Sequence, residues 1–240
     1  MPPLLGFFLP AALLAQGWLA DGGLVDPRLA QWVFNTVRLA VIGAAVTVAL
    51  GLVAAYAMRA RPHWNTRAAV ALASGGYALP GIVLGIGLLL VAGVFDRWLW
   101  QPLFGHALLA GSIVALIYAY AVRFFSVAYQ GLEAGLQRIG RNMDDSARSL
   151  GRSPFGLLRE VHWPILRRSL ALTGLLVMID CLKELPATLV LRPFDTDTLA
   201  VIAYQFAADE RLSQAALPSL MIVIVGVLPV WLLSRTALRG

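Results

Sequence analysis

The residues best suited to a specific interaction lie in one Arg-rich polar stretch between two long apolar runs. Asn142 can cap a helix whose third residue is Asp145, and Gly151 can end that helix in the left-handed conformation. Ser153 followed by Pro154 can then start a second helix, because serine caps helices and proline suits the first helical position. The spacing predicts a helix–turn–helix elbow.

This elbow would present an amphipathic surface. Charged residues interleave with its apolar residues, as expected for a specific docking surface that receives a partner protein. A basic amphipathic loop lying on anionic lipid headgroups has the same pattern and is the alternative interpretation. The apolar residues are Met143, Ala147, Leu150, Phe155, Leu157 and Leu158.

A second set of ionisable residues lies within apolar sequence. Lys183 and Glu184 follow Asp180 by three and four residues, so Asp180 can face either of them across one helical turn. Ionisable groups in a membrane are costly and usually functional. The cluster could contact a substrate, or it could be a neutralised group that fixes helix packing. Arg123 is expected near the cytoplasmic end of its span, where it would extend to the lipid headgroups.

The elements that position these residues are membrane spans. The 240 residues are 59% hydrophobic and 13% charged, with a mean hydropathy of +0.76, whereas soluble domains are about 45–50% apolar and about 25% charged. The 19 Lys and Arg outnumber the 13 Asp and Glu. They occur in short clusters between apolar runs rather than in one basic stripe, which argues against a nucleic-acid partner and indicates contact with lipid.

A membrane span needs about 20 residues, and six apolar runs have close to this length or more. The sequence therefore predicts an all-α integral membrane protein, with residues 1–30 forming a first span and external loop and residues 31–236 forming the main transmembrane unit. No basic segment precedes the first run, which favours a span over a cleavable signal. The predicted spans are 4–20, 34–58, 68–95, 107–129, 169–191 and 215–234.

Arginine in the short loops predicts the orientation of these spans. Arginines are concentrated in the loops at residues 59–67 and 138–168 and in the tail, whereas the alternate loops are neutral or acidic. Because basic loops stay in the cytoplasm, both termini are expected inside. The third span is rich in helix breakers between Ser74 and Gly87, so we expect it inside the bundle; the alternative is that its glycines only permit close packing.

The sequence offers no site for enzyme chemistry. It has no Gly-x4-Gly-Lys-Ser/Thr phosphate loop and no Gly-x-Ser-x-Gly elbow, and its histidines lack His-Glu-x2-His spacing. The single cysteine, Cys181, cannot form an intrachain disulfide. We expect a chain that is not an enzyme and that holds no metal or cofactor of its own.

The elbow resembles a family motif. Asp145-Ser146-Ala147, Gly151, Val161 and Trp163-Pro164 have the spacing of Glu-Ala-Ala-x3-Gly-x9-Ile-x-Leu-Pro, which is typical of the membrane subunits of binding-protein-dependent ABC importers. Four identities differ: Asp145 replaces Glu, Ser146 replaces Ala, Val161 replaces Ile and Trp163 replaces Leu. The resemblance implies a type I ABC importer permease fold over residues 31–236, in which residues 138–165 form the coupling loop that contacts the ATPase.

A second resemblance concerns the cargo. Residues 183–188, 191–194, 197–200 and 208–212 are similar to the closing part of iron(III) ABC permeases, in which two six-span halves commonly form one chain. This chain resembles the second half. If iron(III) passes, it would favour carboxylate and phenolate oxygens, because it is a hard cation. The candidate path or gate residues are Asp180, Lys183, Glu184, Tyr118 and Tyr120.

The resemblance also implies the partners. These are two ABC ATPase subunits that bind ATP and magnesium, a second permease half, and an external or periplasmic substrate-binding protein, all at a bacterial inner membrane. The alternatives for the cargo are polyamine, thiamine, phosphate or sulfate. Two rival classes are a secondary transporter, which would need no elbow, and a membrane enzyme, which would need clustered acid–base or metal groups.

Overall fold

The computed structural model describes the backbone of residues 4–238, and the side chains of that range except those of residues 4, 5, 141, 147, 148, 154, 155, 233 and 236–238. This part is helical, with π-helical turns at Leu4–Phe8, Asp96–Trp100 and Leu158–His162 and a 3-10 turn at Gly75–Ala78. The α-helices are α1 (Leu9–Ala20), α2 (Leu29–Ala60), α3 (Trp64–Ser74), α4 (Gly81–Phe95), α5 (Gln101–Phe104), α6 (Ile113–Gln137), α7 (Arg141–Ser149), α8 (Pro154–Leu157), α9 (Trp163–Leu182), α10 (Pro186–Leu191), α11 (Leu199–Ala208) and α12 (Leu212–Leu238).

The predicted all-α membrane fold is confirmed. Within the described residues, four helical segments are long and apolar enough to cross a bilayer: Leu29–Ala60, Gly81–Phe104, Ile113–Gln137 and Leu212–Leu232. They correspond to the predicted second, third, fourth and sixth spans. The chain is therefore a multi-pass membrane protein.

The other two predicted spans differ from regular membrane helices. The first is represented by a short apolar helix, Gly6–Ala20, which packs against α12. The fifth is divided, because α9 ends at Leu182 and α10 begins at Pro186. That these two segments also cross the membrane, which a count of six spans requires, stays a prediction.

The third predicted span is also divided, between α3 and α4. One side of the break lies against α6: Gly76 contacts the backbone of Val122, and the carbonyl of Leu79 accepts a hydrogen bond from Arg123. This agrees with the expectation that freed backbone groups in a membrane must be satisfied internally. The expectation that the whole span lies inside the bundle is wrong for α4, whose residues are mostly exposed on the surface of this chain.

The centre of the bundle is formed by α2, α6 and α9. Their facing residues make one buried apolar cluster that includes Leu39, Leu116, Tyr120 and Val177. Glycine allows α2 and α6 to approach closely, because a Cβ at Gly51 would lie 2.9 Å from the Cβ of Ala128 and 3.1 Å from backbone atoms of Ala128 and Tyr129. Small residues at such crossings are typical of membrane helices.

Gly51→Val should therefore destabilise the protein by about 1–3 kcal/mol, because the atoms it would meet are the Cβ of Ala128 and backbone atoms, none of which can rotate aside. Gly87→Val is the matched control, since a Cβ at Gly87 has no neighbour within 4 Å. Thermal unfolding of both variants in detergent micelles tests the difference. Equal melting temperatures would contradict the close contact between α2 and α6.

Contacts between loops place them at two opposite ends of the bundle. At one end, the Arg59 side chain at the end of α2 donates to the carbonyl of Leu136, in the last turn of α6, and to that of Ile139, just after α6. At the other end, the Asn35 side chain donates to the carbonyl of Asp197, near the start of α11. The Arg-rich loops predicted to be cytoplasmic therefore share one end.

The segment between Asp195 and Leu212, one of the loops expected to be external, contains α11, and its apolar residues Leu199, Ile202, Ala203 and Phe206 have the spacing of a helical stripe. Leu199 and Ile202 on that stripe are buried against Trp32 of α2. The backbone N–H of Leu199 also donates to the hydroxyl of Thr36 at 2.9 Å. The helix is thus part of the packed bundle at this end.

Candidate functional site

The predicted elbow is present at the end of the bundle where the Arg-rich loops meet. It comprises residues 141–157, with α7 and α8 joined by a turn. Gly151 has a φ of 75°, the left-handed conformation expected of a helix stop. The Ser153 hydroxyl accepts the backbone N–H of Gly156 at 3.1 Å, which confirms Ser153 as the cap of the second helix.

The predicted cap of the first helix is wrong. Because α7 begins at Arg141, Asn142 lies inside its first turn. Gly140 comes before the helix, and its carbonyl accepts the N–H of Met143. The first turn therefore forms without the Asn142 cap.

The residues of the family motif divide between the two surfaces of the elbow. Asp145, Ser146 and Gly151 are exposed, as a docking surface requires, and so are Trp163 and Pro164. Val161 is half-buried and packs against the apolar cluster at the ends of α2 and α6. The side chains of Ala147 and of Phe155, both predicted for the elbow surface, lie outside the described side chains.

The predicted apolar residues of the elbow also differ in exposure. Leu150 at the turn is 80% exposed, and Met143 and Leu158 are about half as exposed as Leu150, at 45% and 42%. Leu157 is buried, which means that it anchors the second helix rather than faces a partner.

Asp144, next to the predicted docking residue Asp145, is buried and holds the elbow to the bundle. Its Oδ2 accepts hydrogen bonds from Arg59 Nε at 3.1 Å and from an Arg59 terminal nitrogen at 2.7 Å. Its Oδ1 lies 2.9 Å from His162 Nε2. We refer to Tyr56, Arg59, Asp144 and His162 as the elbow anchor.

The remaining bonds of the elbow anchor extend into three helices. Arg59 also donates to the carbonyls of Leu136 and Ile139 at 2.8 and 3.0 Å, at the end of α6, where helices leave carbonyls without a partner. The hydroxyl of Tyr56 lies 2.9 Å from His162 Nδ1. Because a carboxylate only accepts hydrogen bonds, Nε2 of His162 donates to Asp144.

The surroundings of Asp144 change its acidity. Burial alone would raise the pKa of the Asp144 carboxyl, but hydrogen bonds from His162 and Arg59, together with their charges, hold that pKa below its ordinary value. The carboxylate is therefore ionised, and paired with Arg59, throughout the neutral range.

This lowered pKa predicts a pH dependence. The pairing of Asp144 should contribute its full stability above about pH 5 and lose it as the pH falls below about 4, because a depressed carboxyl pKa stabilises only the ionised state. Wild type should exceed Asp144→Asn in unfolding free energy by about 1.5–3 kcal/mol at neutral pH. Thermal unfolding in detergent across this pH range tests it, and a difference that grows on acidification would contradict it.

A groove of about 960 Å³ opens at the elbow anchor, and all four anchor residues form part of its wall. Its wall carries charged residues from the elbow, Asp145 and Arg152, and apolar residues from α2, Leu52 and Val53. The exposed residues of the predicted docking surface thus adjoin a depression that contains both apolar and charged groups.

A second polar cluster lies in the middle of the bundle. Arg123 Nε donates to Glu184 Oε2 at 2.9 Å, and a terminal nitrogen of Arg123 donates to the carbonyl of Leu79 at 2.8 Å. These contacts join α6 to the breaks in the third and fifth predicted spans. Gly81 fits beside them, because a Cβ there would lie 2.8 Å from Glu184 Oε1. We refer to Arg123 and Glu184 as the mid-bundle pair.

The expectation that Arg123 extends to the lipid headgroups is wrong. Because α6 runs from Ile113 to Gln137, Arg123 lies near the middle of the helix instead of near its end. Its side chain is 22% exposed and that of Glu184 is 7% exposed. A charge at this depth is stabilised by a buried opposite charge rather than by water.

The other candidate path residues are not gathered around Glu184. Asp180 pairs with the exposed Lys183 at 3.0 Å. Tyr120 is buried and its hydroxyl lies 2.6 Å from that of Thr188. Tyr118 is 56% exposed.

The candidate oxygen ligands either bind protein groups or lie apart from one another. Glu184 Oε1 accepts the N–H of Ala187 at 3.3 Å in addition to the bond between Oε2 and Arg123. In the described part of the chain, no three His, Cys, Asp or Glu side chains come together as a metal site. Asp180, Glu184, Tyr118 and Tyr120 do not form one ligand shell in this structure.

Sequence reasoning missed Asp144 and Arg123 as site residues, although weak signals exist for both. Two adjacent acids on a helix point in directions about 100° apart, so Asp144 and Asp145 need not face the same surface. An arginine within an apolar run requires a buried partner, and Glu184 is a carboxylate in another such run.

Comparison with known proteins gives relatives and fold neighbours. An Fe(3+)-transport system permease protein of Haemophilus influenzae is 30% identical over 210 residues, which are 85% of this chain and 38% of that protein. A putative 2-aminoethylphosphonate transport system permease protein of Salmonella typhimurium is 25% identical over 162 residues, 68% of this chain and 57% of that protein. The chain thus spans less than two thirds of the length of each.

No protein-family model matches the sequence. Among solved structures, a bacterial alginate ABC transporter in complex with an alginate pentasaccharide-bound periplasmic protein contains a similar chain, with a TM-score of 0.74 at 11% identity. The alignment covers 99% of this chain and 90% of that one. At this identity the similarity concerns the fold, and it confirms the predicted architecture.

Proposed function

The chain is a homologue of ABC transporter permeases and has the fold of their importer subunits; from this premise we propose that it is the membrane component of a binding-protein-dependent importer. It would provide a path across the membrane and a docking site for a separate ATPase. It would contribute no catalytic group, because the ATP and magnesium would be bound by that ATPase.

The observation that carries this proposal is the elbow. Asp145, Ser146 and Gly151 are exposed on a helical turn that stands at the end of the bundle beside a groove. A mixture of charged and apolar groups on a convex helix, next to a concave surface, suits a partner protein better than a lipid surface. Trp163 and Pro164 extend the exposed region toward the start of α9.

The mechanism proposed is alternating access. Closure of the two ATPase subunits would move the elbow, and the spans would reorient as rigid bodies around a central path formed with a second permease half. A periplasmic or external binding protein would deliver the cargo at the opposite end, where α11 packs. This assembly belongs in the inner membrane of a bacterium.

The cargo proposed is iron(III). Support comes from the motif resemblance in residues 183–212 and from the Haemophilus influenzae relative, which is an Fe(3+)-transport system permease protein. The Salmonella relative makes a phosphonate the second candidate. Because Glu184 and Tyr120 are bonded to protein groups, we propose that they gate the path, with Asp180 and Lys183 near it, rather than hold a metal ion permanently.

Reconstitution tests this function. The chain, with its second half, ATPase and binding protein in proteoliposomes, should take up radiolabelled iron(III) only when ATP and the binding protein are both present. Uptake of a labelled phosphonate in place of iron(III) would support the importer proposal and change the proposed cargo to a phosphonate. Uptake driven by an ion gradient without the ATPase would overturn the importer proposal in favour of a secondary transporter.

A further inference from the structure

Among the described side chains of α7, the first helix of the elbow, one is buried and holds this helix to the rest of the protein, whereas α8 continues through the π-helical turn into α9. The buried side chain is that of Asp144, and the others are exposed. A short helix whose other described side chains face outward gains little from their apolar packing, so its position depends on the polar bonds that Asp144 makes. Those bonds therefore determine where the docking surface lies relative to the spans.

Each bond of the elbow anchor reaches a different part of the bundle. Arg59 belongs to the last turn of α2 and also binds the carbonyl groups at the end of α6. His162 belongs to the π-helical turn that leads into α9, and Tyr56 on α2 holds its other ring nitrogen. Asp144 consequently links the elbow to α2, α6 and α9, the three helices at the centre of the fold.

The geometry of this link suits the transmission of force. Arg59 binds Asp144 through two of its nitrogens, which restrains both distance and orientation. The anchor is shielded, with side-chain exposures of 16% for Arg59, 12% for Asp144 and 6% for His162. Water competes little for these bonds, so the elbow and the helix ends can move as one body.

Building on the ATPase docking proposed above, we propose that Asp144, Arg59 and His162 act as positioning residues that couple the elbow rigidly to the spans. They would not contact the ATPase themselves. In their absence, the ATPase would still bind the exposed residues of the elbow, but its movement would displace α7 without reorienting the bundle.

Pulsed electron paramagnetic resonance tests this coupling without knowledge of the cargo. Spin labels are placed at Asn142→Cys on α7 and at Trp98→Cys near the opposite end, because both positions are exposed. Cys181→Ser removes the native cysteine, so that only these two positions are labelled. The distance is measured in the complex with the ATPase, before and after addition of a non-hydrolysable ATP analogue. With the wild-type anchor, the distribution of distances between the two labels should be narrow and unchanged by nucleotide.

Asp144→Asn should retain the ATPase, but nucleotide should shift the distance and broaden its distribution by about twofold or more, since the elbow then moves separately. Arg59→Gln, the second variant, should behave in the same way, and Asp144→Glu should restore part of the rigidity. Asp145→Asn is the matched control: it alters the exposed neighbour, so it should lower ATPase recovery while the recovered complex keeps the narrow distance.

The outcomes separate this proposal from the function it rests on. A narrow, nucleotide-independent distance in both Asp144→Asn and Arg59→Gln overturns the role of the anchor and leaves the importer function standing. A distance that already shifts with nucleotide in the wild-type anchor overturns it as well. Failure of the wild-type chain to recover any ABC ATPase contradicts the proposed function, and the coupling role falls with it.

Discussion

Replacing Gly151 with proline should reduce recovery of the ATPase with this chain by about tenfold or more, because the elbow cannot keep its shape. Gly151 has a φ of 75°, whereas the proline ring holds φ near about −65°. The turn between α7 and α8 would have to open, and the exposed residues of α7 and of the turn would no longer form one surface. Co-purification of the two proteins from detergent-solubilised membranes measures the effect.

Two further substitutions make this test specific to conformation. Gly151→Asn should retain most of the recovery, because asparagine tolerates the left-handed conformation better than other side chains do. Gly140→Ala, at a glycine without positive φ and with no neighbour within 4 Å of an added Cβ, should have no effect. Equal recovery for wild type and Gly151→Pro would count heavily against the docking role of the elbow.

Neutralising Glu184 should cause the second large effect, a loss of both stability and uptake. Glu184→Gln leaves the Arg123 charge without its buried partner, and breaking such a pair costs about 3–5 kcal/mol. It also weakens the link between the broken third and fifth spans, which both contact Arg123 or Glu184. Thermal unfolding and ATP-driven uptake in proteoliposomes should be measured in parallel.

The double variant Arg123→Gln with Glu184→Gln distinguishes a gate from a packing device. Removing both charges should restore much of the stability, since no unpaired charge remains. If the pair gates the path, uptake should stay low even though the protein is folded. Asp21→Asn is the control, because Asp21 is an exposed carboxylate that belongs neither to the pair nor to the candidate path residues. Unchanged transport by Glu184→Gln would contradict a role in the path.

The difference between Asp144 and Asp145 shows where sequence reasoning about the site reaches its limit. The two residues are adjacent and chemically identical, and motif spacing selects Asp145. Which of them faces the bundle depends on the rotation of α7, and that rotation depends on Arg59 and His162, 85 and 18 residues away along the chain from Asp144. No local pattern encodes contacts of that separation.

Arg123 shows the same limit within the membrane. Apolar run length places it near a span end, because charged and polar residues after position 129 shorten the predicted span. In the structure α6 continues to Gln137, since its later residues, including Leu132 and Leu136, are buried against neighbouring helices. The position of a charge along a helix therefore depended on packing that hydropathy does not report.

The sequence alone was sufficient for the all-helical membrane class, the elbow with its stop at Gly151 and its cap at Ser153, and the family resemblance, because hydropathy, backbone preference and motif spacing are local properties. Only the tertiary structure decided that Asp144 faces inward to Arg59 and His162, that Arg123 and Glu184 form a buried pair, and that Tyr118 and Tyr120 point to different surroundings. Those outcomes depend on which distant helices pack together, since a buried charge takes the partner that the fold brings to it.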